Sequence, residues 1–168
     1  MLRYAILMLG TVFAVLAAAG CADTTAKSPQ AVSSTKYHLD GEPAGALEVL
    51  DAKDQAKDGE PIVVVGRLGG GITPWIDGRA AFLLVDTRIL PSCEEGEHCK
   101  ADCADCAKEM LAACTMVKFL GHDGKVLQVD ARQLLGVKEQ ETVVIKGVAS
   151  RDKTGNVSIA AKGIYVRK

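Results

Sequence analysis

The sequence predicts a mainly β domain with short helices: a small five-stranded barrel interrupted by a cysteine-rich helical insertion. Three observations lead there. β-branched runs bounded by turn residues recur from Pro61 to the end of the chain, as half-buried strands require. A short helical signal with its own start and stop residues falls between the third and fourth of these strands. Five cysteines, Cys93, Cys99, Cys103, Cys106 and Cys114, crowd into one stretch between the second and the third.

Before the barrel come two segments of different character. Residues 1–20 open with Arg3 as a basic start and continue as an apolar run that ends in small residues, the pattern of a secretory signal and short for a membrane span. Ala18, Ala19 and Gly20 stand directly before Cys21. Here the chain resembles bacterial lipoproteins, whose signal peptides end in a lipobox, with Ala18 where that family usually carries Leu. The resemblance implies cleavage before Cys21, lipidation of Cys21, and a cell-envelope location facing the periplasm or the exterior, held to the membrane by that lipid. Residues 21–58 then read as the lipidated N-terminus and a flexible tether: residues 22–40 are rich in Thr, Ser, Ala and Lys without a sustained apolar period. Ala46, Leu47, Val49 and Leu50 offer only a weak helical pattern after Gly45, read as stalk or packed flap.

The domain proper is expected over residues 59–168. Ile62, Val63, Val64 and Val65 make the first strand, ending at Gly66, and residues 80–86 the second. Residues 115–120 make the third, with a continuation over 125–129 after the turn at Gly121, His122, Asp123 and Gly124. Asp130 caps a short helix over 131–135, which Gly136 stops. A closing hairpin pairs residues 142–148 with 157–166 across Asp152, Lys153, Thr154, Gly155 and Asn156. This order of elements, with the run from Ala160 to Val166 at its end, resembles OB-fold domains of bacterial envelope proteins over roughly residues 59–168. It assigns no activity.

The insertion, residues 91–114, holds the chemistry. Its spacing, C-x5-C-x3-C-x2-C-x7-C, asks for a soft metal or for disulfides. If residues 99–116 are helical, Cys99, Cys103, Cys106, Met110 and Cys114 line one face. Alanine-rich composition favours that helix, and Glu94, Glu95 and Glu97 lie where its dipole is positive. For zinc the tetrahedral set is Cys93, Cys99, Cys103 and Cys106; for Cu(I) it is a subset of these with Met110 as a soft neighbour. Cys114 and His98 are additional candidate ligands. In the alternative, two disulfides staple the insertion of a non-enzymatic module that binds another envelope protein, and one thiol is left over. A thiol-redox site at Cys103 and Cys106 is the third reading.

Other motifs are weaker. The spacing of Cys99, Cys103 and Cys106 is similar to the radical SAM cluster signature, but only eight residues match and that family's large α/β barrel does not fit in this domain. Gly69, Gly70 and Gly71 lack the Lys-Ser/Thr of a phosphate loop. Trp75 and Arg79, in the loop between the first two strands, form a candidate ligand face by analogy with OB-folds, against the simpler role of Trp75 as a cover for the barrel. His38 lies in the tether and is expected to be inert. No nucleophile triad, H-E-x-x-H or distinct carboxylate pair is present, so no enzyme is expected. A net charge of -1 and 4% aromatic residues give no basis for nucleic-acid binding.

Overall fold

Apolar side chains at alternate positions of five strands turn inward and close a barrel around Phe82 and Phe119, both fully buried. The computed structural model describes residues 34–69, 73–89 and 104–168. The chain passes through a 3-10 turn at Ser34–Lys36, then β1 (Leu47–Glu48), α1 (Val49–Gln55), β2 (Pro61–Leu68), β3 (Ala81–Val85), α2 (Ala104–Ala112), β4 (Cys114–Phe119), α3 (Ala131–Leu135), β5 (Thr142–Arg151) and β6 (Val157–Val166).

β2 pairs antiparallel with β3 and β3 with β4; β4 runs parallel to β6, β6 antiparallel to β5, and β5 returns to β2. The ring is therefore a closed five-stranded barrel of OB-like order, which leaves none of its strands as a free sheet edge. Val64 and Leu68 of β2, Leu84 of β3, Val117 of β4, Ile145 of β5 and Ile159 and Ile164 of β6 fill the interior with the two phenylalanines. α3 packs Leu134 and Leu135 into the same core. Asp130 accepts the Arg132 N–H at 2.9 Å and Gly136 adopts φ 65°, a left-handed stop that a side chain resists.

Two expectations need correction. Residues 34–40, expected as flexible tether, are folded onto the barrel, and of the two readings of residues 42–57, stalk or packed flap, the structure shows the packed one. Tyr37 is buried and meets Phe119 edge-on at 5.0 Å. Leu39 N–H donates to Ile164 O at 2.9 Å, Ile164 N–H to Tyr37 O at 2.7 Å, and His38 Nε2 to Leu135 O at 2.8 Å. β1 adds to β2 in parallel, and α1 buries Val49 and Ala52. These contacts join residues far apart in sequence, so local composition does not announce them. Residues 125–129 are likewise no strand: Leu120 and Val126 form an isolated bridge, and Leu127 N–H reaches Phe119 O at 3.0 Å.

Candidate functional site

The cysteine insertion leaves the barrel at the end of β3 and returns at the start of β4, and the two roots are bonded to each other by the Asp86 N–H donating to Ala113 O at 3.1 Å. Asp86 follows the last residue of β3 and is completely buried. A buried carboxylate is costly unless its lone pairs are satisfied, and here they are. Oδ1 accepts from Arg88 N at 3.0 Å and Nε at 2.9 Å; Oδ2 accepts from Arg88 Nη2 at 2.9 Å and from Leu50 N at 2.9 Å. The Arg88 hydrogen bond outweighs desolvation and holds the carboxyl at about 2.

Leu50 lies in the first turn of α1, whose own N-cap residue Glu48 makes no side-chain cap. Asp86 does that job across space, accepting an N–H that the helix start leaves unpaired. Glu48 instead reaches the insertion root, accepting from Thr87 N at 3.1 Å and Thr87 Oγ1 at 2.7 Å. Farther along α1, Lys53 Nζ donates to Ala112 O and, at 3.2 Å, to Cys114 O. One short helix thus grips both roots. Arg67 of β2 adds a third hold, with Nη2 donating to Ile89 O at 2.7 Å. None of these partners was legible as a site in the sequence, because Glu48, Lys53, Asp86 and Arg88 are spread over three elements.

Among the described residues α2 covers Ala104–Ala112, and the helix expected to reach 116 gives way to β4 at Cys114. Cys114 sits on β4, opposite Val85 of β3, so the sulfur stripe does not continue along one helix face. Cys114 and Met110 still meet, because the chain turns there. The Cys114 Sγ–H donates to Met110 O at 2.9 Å, and both side chains pack with Val85, each 8% exposed. Burial pushes the Cys114 thiol up, with Lys53 acting weakly the other way. Cys114 and Met110 pack against each other and Val85 here. Cys106 lies on α2. Cys93, His98, Cys99 and Cys103, like Cys21 and Gly70 and Gly71, lie outside the described residues. Among the described residues no group of three or more His, Cys, Asp or Glu can hold a metal ion.

Of the second candidate face, Trp75 is turned into the core and Arg79 outward. Trp75 is 7% exposed, packs edge-on against Phe82 at 6.0 Å, and donates from Nε1 to Glu139 Oε1 at 2.9 Å. The cation over its ring is Arg132, at 5.7 Å, which also pairs with Asp130 and Asp77. Arg79 is exposed, and its backbone joins the loop to Ile76 and Ala131. Trp75 thus covers the core, leaving little of the indole to present to a ligand.

No protein-family model matches the chain, and no curated protein does. Among solved structures, it is similar to an OBody, AM1L10, bound to hen egg-white lysozyme, with 16% identity, a TM-score of 0.42, and coverage of 77% of this chain and 98% of that one. Among the described residues no helix is long and apolar enough to cross a membrane.

Proposed function

We propose that this chain is an envelope protein, anchored by a lipid on Cys21, whose barrel holds out four cysteines as thiolate ligands for zinc or Cu(I). The ligands are Cys93, Cys99, Cys103 and Cys106. The observation that carries this reading is the state of Cys114: buried, hydrogen-bonded and with a raised thiol pKa, it is withdrawn from the cluster. Of the six cysteines, one is then lipidated and one structural. Four remain, the number a closed tetrahedral thiolate site uses.

The joined roots support the reading as well. A metal loop stays unformed until its ligands are brought together, and binding then supplies the folding free energy of that loop. α1, Asp86 and Arg67 fix where the loop begins and ends, which removes part of the entropy that closing it costs. Such a site suits structural stabilisation, sequestration or delivery of the ion, without catalysis. The test is metal content of the full chain, prepared from an oxidising compartment without chelator. Cys99→Ser/Cys103→Ser is expected to lose the metal while the barrel's melting transition persists; full loading in that variant excludes the proposed ligands.

The same count favours one other reading. Four cysteines also pair without remainder, so two disulfides can staple the insertion as part of a module that binds an envelope protein. Non-reducing peptide mapping separates the two: all four thiols free ends the disulfide version.

A further inference from the structure

On the barrel wall formed by β2, β5 and β6, the strands fall out of register at one point. Lys146 pairs with Gly163 while Gly147 pairs with Ala161, so Lys162 is an extra residue without a cross-strand partner. A bulge re-aims the extra side chain, and this one brings Lys162 to the same groove as Lys146. That groove has a volume of about 490 Å³, with Leu47, Ile62 and Val63 as its apolar wall and Gly45 at its border. Both lysines are exposed, and neither meets a carboxylate among the described residues. Like charges placed side by side on a sheet are destabilising. Among the described residues no carboxylate compensates them.

A second hollow of about 160 Å³ shares Leu47, Pro61 and Ile62 with the first and extends toward Gln55 at the end of α1. Lys57 and Glu60 at that end pair with each other at 3.8 Å, so the combined groove keeps its excess positive charge at the Lys146 and Lys162 end and is apolar along its shared wall. A bare anion would use the charges and leave the wall in water; a neutral apolar chain would do the reverse. We propose that the groove binds a single-chain amphiphile with a phosphate head, the head between Lys146 and Lys162 and the chain along Leu47 and Ile62. A phosphate monoester carries nearly two negative charges near neutral pH, matching two ammonium groups. The site uses no residue of the cysteine insertion and stands or falls independently of the metal.

The experiment is photolabelling of the full chain in phosphatidylcholine nanodiscs with a diazirine-bearing decyl phosphate, mapped by peptide mass spectrometry. Label is expected in the peptides spanning residues 45–63. Unlabelled decyl phosphate protects them; decanol and inorganic phosphate at the same concentration do not. Lys146→Met/Lys162→Met raises the protecting concentration at least about tenfold, the loss expected for charged hydrogen bonds, with an unchanged melting transition. If the double variant fails to fold, Lys162→Gln alone, at the exposed bulge, gives a smaller loss in the same direction. Label spread evenly over the surface overturns the proposal. So does protection by decanol, which marks a purely apolar groove, or by inorganic phosphate alone, which marks a free-anion site. Unchanged protection in the lysine variants overturns it equally.

Discussion

Replacing Asp86 by asparagine keeps the shape of the side chain and removes the charge that ties Arg88, at one insertion root, to the start of α1. The carboxyl falls from 3.8 to about 2 on folding, mainly through the Arg88 side chain. A drop of nearly two units corresponds to about 2 kcal/mol of stability. The asparagine amide also places a donor where Arg88 presents donors, so the total loss is expected at about 2–4 kcal/mol, the carboxylate being buried while Arg88 is half exposed. Because the folded pKa is depressed, this contribution is fully present above pH 4 and is lost as pH falls through about 2. Urea unfolding of both chains across that window is the assay. The gap between them should be largest near neutral pH and should narrow by about 2 kcal/mol as acid protonates Asp86 in the unmodified chain. A neutral-pH difference below about 0.5 kcal/mol, the scale of an ordinary surface change, would refute the role assigned to Asp86; a gap that does not narrow in acid would refute its electrostatic origin.

Three further outcomes follow from the packing. Cys114, buried with a raised thiol pKa, should react with iodoacetamide near neutral pH far more slowly than an exposed cysteine, until the barrel unfolds; alkylation at the exposed rate would contradict its place in the core. Trp75→Phe keeps the contact with Phe82 but loses the bond to Glu139, for about 1 kcal/mol in thermal or urea unfolding. As the single tryptophan, Trp75 should also emit as a buried indole, and a solvent-like spectrum in the native protein would count against the closed core. Gly66→Ala places a Cβ 2.5 Å from Leu84 Cγ and 2.8 Å from Val85 O, where β2 crosses β3. A loss of about 2–3 kcal/mol is expected from this overpacking, and a neutral result would mean that the strands cross less closely.

What the sequence makes legible here is what local chemistry decides. The valine run of β2, the hairpin around Asp152 and Gly155, and the Asp130 and Gly136 ends of α3 each carry their own signal, and their order is enough for the barrel. α1 has no such signal: its start is capped by Asp86, 36 residues away in sequence, and its lysine binds carbonyls at the end of α2 and the start of β4. Tyr37 and Leu39 likewise gain their partners on β6, more than a hundred residues later. The sulfur stripe misleads for a related reason. Helical spacing continues through Cys114, but the ladder from Val85↔Cys114 to Ala81↔Lys118 offers more than another helical turn, and the chain changes to a strand. The trade of capping roles between Glu48 and Asp86 has no sequence motif, since it depends on where β3 ends in space.

The proposed metal site uses four insertion cysteines and leaves Cys114 in the core. The native mass of the full chain, purified without chelator and released from its membrane mimic in the mass spectrometer, tests this most directly beside its denatured mass after alkylation. A four-thiolate site gives a metal-sized excess that disappears on denaturation, with Cys93, Cys99, Cys103, Cys106 and Cys114 all then alkylated. Native and denatured masses that differ only by the one alkyl group on Cys114, with two hydrogens missing for each bridge, would rule the metal site out and leave the insertion a disulfide-stapled interaction surface.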